Sequence, residues 1–480
     1  MNRRMVFYTV GLIILLEAGF FLLPLLVGLL DRSPSVFAFL ISIFIALIFG
    51  LGLILFSRPK NKTLYAREGF VITSFAWLSL SAIGALPFFL SGQIPHYIDA
   101  FFETVSGFTT TGASILTNVE GLDRALLFWR SFTHWVGGMG VLVFLTAFLS
   151  NLSDHSIHIL RAEMPGPTVG KLMPRTKDTA KILYLIYVGL TLLQLFCLLF
   201  TGMGLFESFI HTFGTAGTGG FGMFSDSIAS LSPSQQWIIT IFMLIFGVNF
   251  NLYYIILLRR FRLAFRSTEL WYYLCITAAA IGIITVDLSS QFQGFSDALR
   301  HSAVQVSSVI TTTGFTTLDW NSFSSLSKSV LICLMCLGAC AGSTAGGLKI
   351  SRFILLIKNC AAEFRHMLHP RSVNTIRFEG KKVDKETKKS VSVYFTLYIF
   401  CIVLLAFFLS LDSFDLETNL TAAISCFNNI GPAFGRAFAS YAEYSPLSKF
   451  LLSLGMLLGR LEIWPILLTL SHTTWQSKQS

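Results

Sequence analysis

The stretch Ser106-Gly107-Phe108-Thr109-Thr110-Thr111-Gly112 lies between two strongly apolar segments, and Thr311-Thr312-Thr313-Gly314-Phe315 repeats its core in the same setting. Two further turns lie between apolar segments in the same way, and they read Gly217-Thr218-Gly219-Gly220-Phe221 and Asn428-Asn429-Ile430-Gly431-Pro432. Aligning the four turns superimposes Gly112, Gly220, Gly314 and Gly431. Their similar spacing along the chain indicates a duplicated structural unit.

The apolar segments around these turns are long enough to cross a membrane. Hydrophobic residues make up 54% of the 480 residues and charged residues only 12%, which excludes an ordinary soluble domain. A bilayer core about 30 Å thick needs roughly 20 apolar residues of helix. Ten runs of this kind lie near 5–30, 35–57, 68–91, 127–150, 179–202, 235–258, 269–288, 328–357, 390–411 and 450–472. The first run is too long for a signal peptide and is predicted to be a retained anchor.

The distribution of basic residues predicts the orientation. With both termini in the cytoplasm, the inner segments hold 27 Lys and Arg residues and the outer segments 7, as the positive-inside rule requires. The same sorting accounts for the net charge of +10 without a nucleic-acid partner. Acids then outnumber bases on the outer side, where they either concentrate cations at a pore mouth or are simply what the sorting leaves there.

Between the apolar runs lie amphipathic segments too short to cross the membrane, at Ile98–Thr109, Leu205–Phe213, Asp297–Val309 and Glu417–Asn428. Each is predicted to be a half-helix that enters from outside and turns back. The predicted fold is an all-α membrane protein in which two N-terminal helices precede four helix–pore-loop–helix repeats with fourfold pseudosymmetry around one pore. The predicted units are residues 1–60 for the two helices and 61–160, 161–266, 267–380 and 381–480 for the repeats.

Four irregular turns at membrane depth are tolerated only where protein buries them or a water-filled path runs past them. A ring of backbone carbonyls can replace the hydration shell of a cation, and glycine leaves the opening free of side chains. The predicted ion-binding residues are Thr110, Thr111, Gly112, Thr218, Gly219, Gly220, Thr312, Thr313, Gly314, Asn429, Ile430 and Gly431. Any one turn taken alone is equally compatible with an ordinary loop.

Two features below the turns are candidate controls. The eighth apolar run, expected to form the second helix of the third repeat, is interrupted at 341–347 by small residues that weaken a helix. The predicted gating residues are Gly342, Ser343, Thr344, Ala345, Gly346, Gly347, Lys349 and Arg460. The alternative for the interruption is a close-packed kink. Arg460 lies inside the last run, where a charge is costly, so it faces either the pore or an acid on another helix.

The chain resembles the Trk/Ktr/HKT superfamily of potassium transporters, and in particular its TrkH-type members. The resemblance covers nearly the whole chain. It rests on the first and third turns above together with His134-Trp135-Val136-Gly137-Gly138-Met139-Gly140, Gly342-Ser343-Thr344-Ala345-Gly346-Gly347-Leu348-Lys349 and Gly459-Arg460-Leu461-Glu462-Ile463.

This resemblance implies a potassium-selective filter at the four glycines, with K⁺ ions in the pore and no covalent cofactor. It also implies a flexible intramembrane loop at the interruption, a bacterial inner membrane, a homodimer and a cytosolic, nucleotide-binding TrkA-type ring. The second and fourth turns depart from Thr-Thr-Thr-Gly, so the filter is only roughly fourfold.

A secondary transporter coupled to sodium or protons is the alternative function. An enzyme would need titratable groups that converge in a pocket. The basic segment 358–389 is predicted to contact anionic lipid or a partner, or to be solvated.

Overall fold

The computed structural model describes residues 1–59, 64–140, 176–292, 294–371 and 375–475, and these are mostly helical. The helices are α1 (Arg3–Phe20), α2 (Leu22–Leu30), α3 (Val36–Phe56), α4 (Ala66–Gly84), α5 (Leu86–Leu90), α6 (Tyr97–Phe108), α7 (Arg124–Met139), α8 (Thr176–Phe200), α9 (Leu205–Ala216), α10 (Pro233–Phe246), α11 (Phe250–Leu257), α12 (Phe261–Ala264), α13 (Thr268–Leu288), α14 (Phe295–Ile310), α15 (Ser325–Leu337), α16 (Ile350–Leu368), α17 (Lys385–Leu409), α18 (Leu416–Asn428), α19 (Pro446–Arg460), α20 (Trp464–Leu470) and α21 (His472–Trp475). A short antiparallel hairpin pairs β1 (Arg377–Phe378) with β2 (Lys381–Lys382).

Six helical spans in the described residues are long and apolar enough to cross a membrane, which confirms the membrane class. They are Arg3–Leu30, Val36–Phe56, Arg67–Leu90, Ala180–Phe200, Thr268–Leu288 and Lys385–Leu409. Helix α3 is apolar on all sides, yet it leaves large side chains such as Phe44 and Phe56 exposed. An apolar helix with an uncovered face is stable only in lipid.

Two of the predicted spans are bent rather than continuous. The run near 235–258 turns by 89° between α10 and α11, and the run near 450–472 turns by 116° between α19 and α20. At the first bend the Asn249 side chain accepts a hydrogen bond from the N–H of Asn251 and starts a new helix. At the second, Glu462 and Ile463 have φ of 59° and 67°, which ends an α-helix. Each of these two predicted spans is therefore divided into two helices.

The predicted half-helices are α6, α9, α14 and α18. They contain 12, 12, 16 and 13 residues, and at 1.5 Å per residue they are too short to cross a bilayer. Each carries an acid in its first turn, namely Asp99, Glu207, Asp297 and Glu417. A carboxylate at this end complements the helix dipole. Each half-helix ends where its glycine-centred turn begins.

The N-terminal helices support the first half-helix through an aromatic cluster. The Trp129 ring packs 4.6 Å from Phe21 and 5.9 Å from Phe108, measured between ring centroids. Its indole N–H donates to the carbonyl oxygen of Gly84 at 3.0 Å. These contacts join α2, α4, α6 and α7 in one buried core. Residues 141–150 of the run predicted at 127–150, and the predicted boundary at residue 160, lie outside the described residues.

Candidate ion pathway

The four turns share one backbone conformation in spite of their different sequences. The first residue with positive φ is Thr110, Thr218, Thr312 or Asn429, with φ between 54° and 58°. Two residues later stand Gly112, Gly220, Gly314 and Gly431, with φ between 79° and 102°. Threonine is rarely left-handed, so the surrounding structure must hold it there. Asn429 replaces threonine at low cost because asparagine tolerates this conformation.

The four turns contact one another in a closed ring. A Cβ atom added at any of the four glycines would overlap a backbone carbonyl or the adjoining backbone of the next turn. The contacts run from Gly112 to Gly219, from Gly220 to Thr313, from Gly314 to Ile430 and from Gly431 to Thr111. Glycine is therefore required at each of the four positions for two reasons. It adopts the positive φ, and it leaves room for the close approach of the neighbouring backbone.

Side-chain hydrogen bonds connect residues within and between the turns. The hydroxyl oxygens of Thr109 and Thr111 lie 2.7 Å apart, and those of Thr311 and Thr313 lie 2.8 Å apart. The Asn429 side-chain amide donates to the Thr111 hydroxyl at 3.0 Å, which ties the fourth turn to the first. Asn429 aligns with Thr110 and Thr312, so the fourth turn carries an amide at that position and uses it to bond the first turn.

Cavities of very different size lie on the two sides of the ring. A cavity of about 420 Å³ is lined by all four glycines and by residues that follow them in each turn. A second cavity, of about 50 Å³, is lined by most of the 342–347 segment together with Gly138, Lys349 and Arg460. The cavity on the side of the half-helix starts is therefore much the larger of the two.

The interruption between α15 and α16 is longer than the predicted 341–347. Helix α15 ends at Leu337 and α16 begins at Ile350, and Gly338, Gly342, Gly347 and Lys349 all have positive φ between 71° and 75°. The segment 338–349 is hereafter called the intramembrane loop. Because positive φ recurs along it, the loop cannot form a continuous α-helix.

Hydrogen bonds fasten the intramembrane loop to the ring and to the bend before α11. The N–H of Gly346 donates to the Thr312 hydroxyl at 2.7 Å. The N–H of Phe250 donates to the Gly342 carbonyl oxygen at 3.0 Å. The loop therefore lies directly against the third turn of the ring.

Arg460 and Lys349 lie in the lining of the small cavity. The Arg460 guanidinium donates to the carbonyl oxygen of Thr344 at 2.8 Å and to that of Gly138 at 2.9 Å. It thus connects the intramembrane loop with the end of α7. Lys349 is buried, and its ammonium donates to the Ala345 carbonyl oxygen. Glu462 instead pairs with Arg352, with an Nη2 to Oε2 distance of 2.6 Å.

Glu103, on the predicted half-helix Ile98–Thr109, is buried in an ion pair and is not open to the pore mouth. Glu103 is 1% exposed and pairs with Arg130, which is 4% exposed, at 2.6 Å. The signal was present, because Arg130 falls within an apolar run where a charge needs a partner. Glu120, by contrast, is exposed, and hydrogen bonds from the Ser225 hydroxyl and backbone N–H lower the pKa of its carboxyl.

Glu269 is a further residue that sequence reasoning missed. One carboxylate oxygen accepts from the N–H of Ala341 at 2.7 Å and from the N–H of Ser351 at 3.1 Å. These two N–H groups lie near opposite ends of the intramembrane loop. Glu269 is the first residue of the predicted run 269–288, where an acid is typical of the first turn of a helix. Nothing in the local sequence indicates its distant partners.

The sequence and the fold were compared with known proteins. The family model for TrkH, described as a cation transport protein, matches residues 35–269 and 258–479. The Trk system potassium uptake protein TrkH of Salmonella typhimurium is 35% identical over 99% of this chain and 100% of its own length. The Trk system potassium uptake protein TrkG of Escherichia coli is 33% identical over 99% of each chain.

The crystal structure of the potassium transporter TrkH from Vibrio parahaemolyticus has the same fold, with a TM-score of 0.89 and 30% sequence identity. The alignment covers 99% of this chain and 100% of that one. Sequence and fold agree over the full length, and the resemblance drawn from the motifs is confirmed. The chain belongs to the TrkH family of cation transport proteins.

Proposed function

We propose that this protein takes up potassium across the cell membrane through a gated, channel-like pore whose selectivity filter is the ring of four turns. The observation that carries the proposal is the closed ring of glycine contacts opening onto the 420 Å³ cavity. Relatives that match the whole chain are named as potassium uptake proteins.

In this proposal, backbone carbonyls of the four turns replace the hydration shell of K⁺. The ligands come from the three residues that end at each filter glycine, namely Thr110 to Gly112, Thr218 to Gly220, Thr312 to Gly314 and Asn429 to Gly431. The half-helices aim their negative ends at the ring, which favours a cation there. The buried Thr110 hydroxyl has no hydrogen-bond partner among the described residues, so it is available to an ion.

The arrangement of the pore follows from repetition. We infer two N-terminal helices in residues 1–60, followed by four helix–pore-loop–helix repeats around a pseudo-fourfold axis, with the boundaries predicted above. Support comes from the four half-helices, each with an acidic first turn, and from the shared conformation of the four turns.

The intramembrane loop, Lys349 and Arg460 form the proposed gate. A positive charge next to the narrow cavity opposes a leaving cation, because electrostatic interactions are strong where water is excluded. The loop closes the space beneath the filter through its bond to the Thr312 hydroxyl. Opening then requires the loop to move away from the ring and the contact between Arg460 and Thr344 to break.

Orientation and partners complete the proposal. We infer a multi-pass protein of a bacterial inner membrane with both termini in the cytoplasm, from the 27 to 7 distribution of basic residues. The hairpin β1–β2 and the exposed end of α16 lie in the basic segment, so they are the proposed contact for anionic lipid and for a cytosolic TrkA-type ring. Assembly as a homodimer belongs to the same proposal.

Rubidium uptake into vesicles that contain the purified protein tests the function. Unlabelled potassium should compete strongly and sodium weakly, and uptake should proceed without an imposed proton gradient. Equal competition by sodium would overturn the selectivity, whereas accumulation that requires a sodium or proton gradient would favour the coupled transporter. Empty vesicles are the control.

A further inference from the structure

A buried ion pair lies immediately behind the junction of the first and second turns. The Arg130 Nε donates to Glu103 Oε1 at 2.6 Å, and the two side chains are 4% and 1% exposed. Glu103 lies on the half-helix α6 and Arg130 on the following helix α7. A buried pair of this kind is retained only where geometry and further hydrogen bonds compensate for the loss of solvation.

The carboxylate of the pair holds the first turn. Glu103 accepts from the N–H of Ile115 at 3.0 Å and from the Ser114 hydroxyl at 2.9 Å. Ser114 lines the large cavity, and Ile115 is the next residue along the chain. Both therefore lie shortly after Gly112. Charge-assisted bonds to a carboxylate are shorter and stronger than neutral ones, so the outer end of the first turn is fixed to α6.

The guanidinium of the pair holds the second turn. Arg130 Nη1 donates to the carbonyl oxygen of Gly222 at 3.3 Å. Its central carbon lies 3.4 Å from the ring centroid of Phe221, the residue after the filter glycine. The pair therefore links the backbone just outside Gly112 to the backbone just outside Gly220.

Neighbouring turns at the other three junctions are tied by neutral hydrogen bonds. These run from the Ile228 N–H to the Thr316 carbonyl at 3.2 Å, between Asn321 and Gly435 at 2.7 and 3.2 Å, and from the Tyr441 N–H to the Ser114 carbonyl at 2.8 Å. At the positions equivalent to Glu103 in the other half-helices stand His211, Gln305 and Ala422. The ion pair of Glu103 and Arg130 therefore distinguishes the junction of the first and second turns from the other three.

The second turn is also the one with the greatest backbone freedom. It contains Gly217, Gly219 and Gly220, and glycine loses more conformational freedom on ordering than any other residue. Gly217 and Gly219 stand where the first and third turns carry paired threonine hydroxyls. A rigid external contact is therefore needed most where this turn meets the first.

We propose that Glu103 and Arg130 are positioning residues that set the preference for K⁺ over Na⁺ by fixing the separation of the first and second turns. This rests on the proposed filter. A carbonyl ring discriminates between cations through the number and placement of its oxygens. Release of one junction lets the ring contract around the smaller ion, so sodium competes better while potassium still passes.

The test measures rubidium uptake in vesicles with graded potassium or sodium as competitor. Glu103→Gln removes the charge of the acceptor and is expected to lower the ratio of potassium to sodium competition by about tenfold. Arg130→Lys keeps the charge but cannot reach both Glu103 and Gly222 with one ammonium. It is expected to lower the ratio less, and it decides the matter if Glu103→Gln does not fold.

Arg124→Gln is the matched control, since Arg124 lies on the same helix in an exposed pair with Asp31. It should keep the ratio of the unmodified protein. Folded Arg130→Lys protein with an unchanged ratio would overturn the inference and leave the proposed function intact. Equal competition by sodium in the unmodified protein would instead overturn the proposed function itself.

Discussion

At the scale of single residues, Gly314 of the ring and Gly282 of α13 differ in what surrounds them. A Cβ atom at Gly314 would overlap the Ile430 carbonyl oxygen, and φ at Gly314 is 85°. A Cβ atom at Gly282, in the middle of α13, would meet nothing within 4 Å. The two positions therefore separate the effect of the ring from the general effect of losing a glycine.

Gly314→Ala should reduce rubidium uptake by at least about tenfold, because strain and backbone overlap must displace the third or fourth turn. Gly282→Ala should leave uptake unchanged. Both variants are compared in vesicles after size-exclusion chromatography shows equal folding. Normal uptake and normal potassium preference in Gly314→Ala would argue against the ring as the filter.

Arg460 is the charged side chain of the proposed gate. Its guanidinium bridges the intramembrane loop and the end of α7. Arg460→Ala should raise rubidium uptake about tenfold or more, since a unit charge a few ångström from a cation contributes on the order of several kcal/mol at the effective dielectric of a protein. Arg436→Ala, which removes a charge on a side chain that is 69% exposed, serves as control. Unchanged or reduced uptake with intact folding would count against the barrier.

At the scale of elements, the intramembrane loop is held by α13 through Glu269. The hairpin β1–β2 continues this connection, because the Glu379 carboxylate accepts from the Glu269 N–H at 3.0 Å and from the Ser267 hydroxyl at 3.1 Å. A chain of contacts thus runs from the basic hairpin through the start of α13 to the loop under the filter.

Glu269→Ala should favour the open pore. Removal of the carboxylate leaves the buried N–H groups of Ala341 and Ser351 unpaired, at about 1–3 kcal/mol each. The closed loop is destabilised and rubidium uptake should rise several-fold. Glu363→Ala, an exposed acid on α16, is the matched control. The idea fails if the folded Glu269→Ala protein transports at the rate of the unmodified protein.

The elements themselves were predictable to different degrees. The half-helices were predicted within a few residues, because their length and amphipathic pattern are local properties. The bends after Phe246 and Arg460 were not predicted, since an apolar run longer than about 20 residues reads as one span. Those bends depend on partners elsewhere, such as Arg352, which pairs with Glu462 at the second bend.

At the scale of the whole molecule, orientation decides which cavity faces outward. The large cavity lies on the side of the half-helix starts, and the hairpin lies on the side of the small one. The positive-inside distribution predicts that the hairpin lies in the cytoplasm. Uptake through the proposed pore then runs from the 420 Å³ cavity through the ring to the gate.

Single cysteines introduced into a background without the eight native cysteines test this orientation. Ala229→Cys, exposed beside the large cavity, should react with a membrane-impermeant maleimide only in right-side-out vesicles. Lys381→Cys, exposed in the hairpin, should react only in inside-out vesicles. The reverse pattern would contradict the predicted orientation. Labelling after detergent lysis confirms that both thiols are accessible once the membrane is removed.

The sequence by itself determined the membrane class, the positions of the half-helices and turns, and the family, because hydrophobic length and glycine-containing motifs are local features. Only the tertiary structure decided how the turns close into a ring, why Asn429 can replace threonine, and which partners Arg130, Glu269 and Arg460 bind. Those contacts join residues far apart in the chain, such as Asn429 and Thr111. Their geometry is set by packing, which no local pattern of residues encodes.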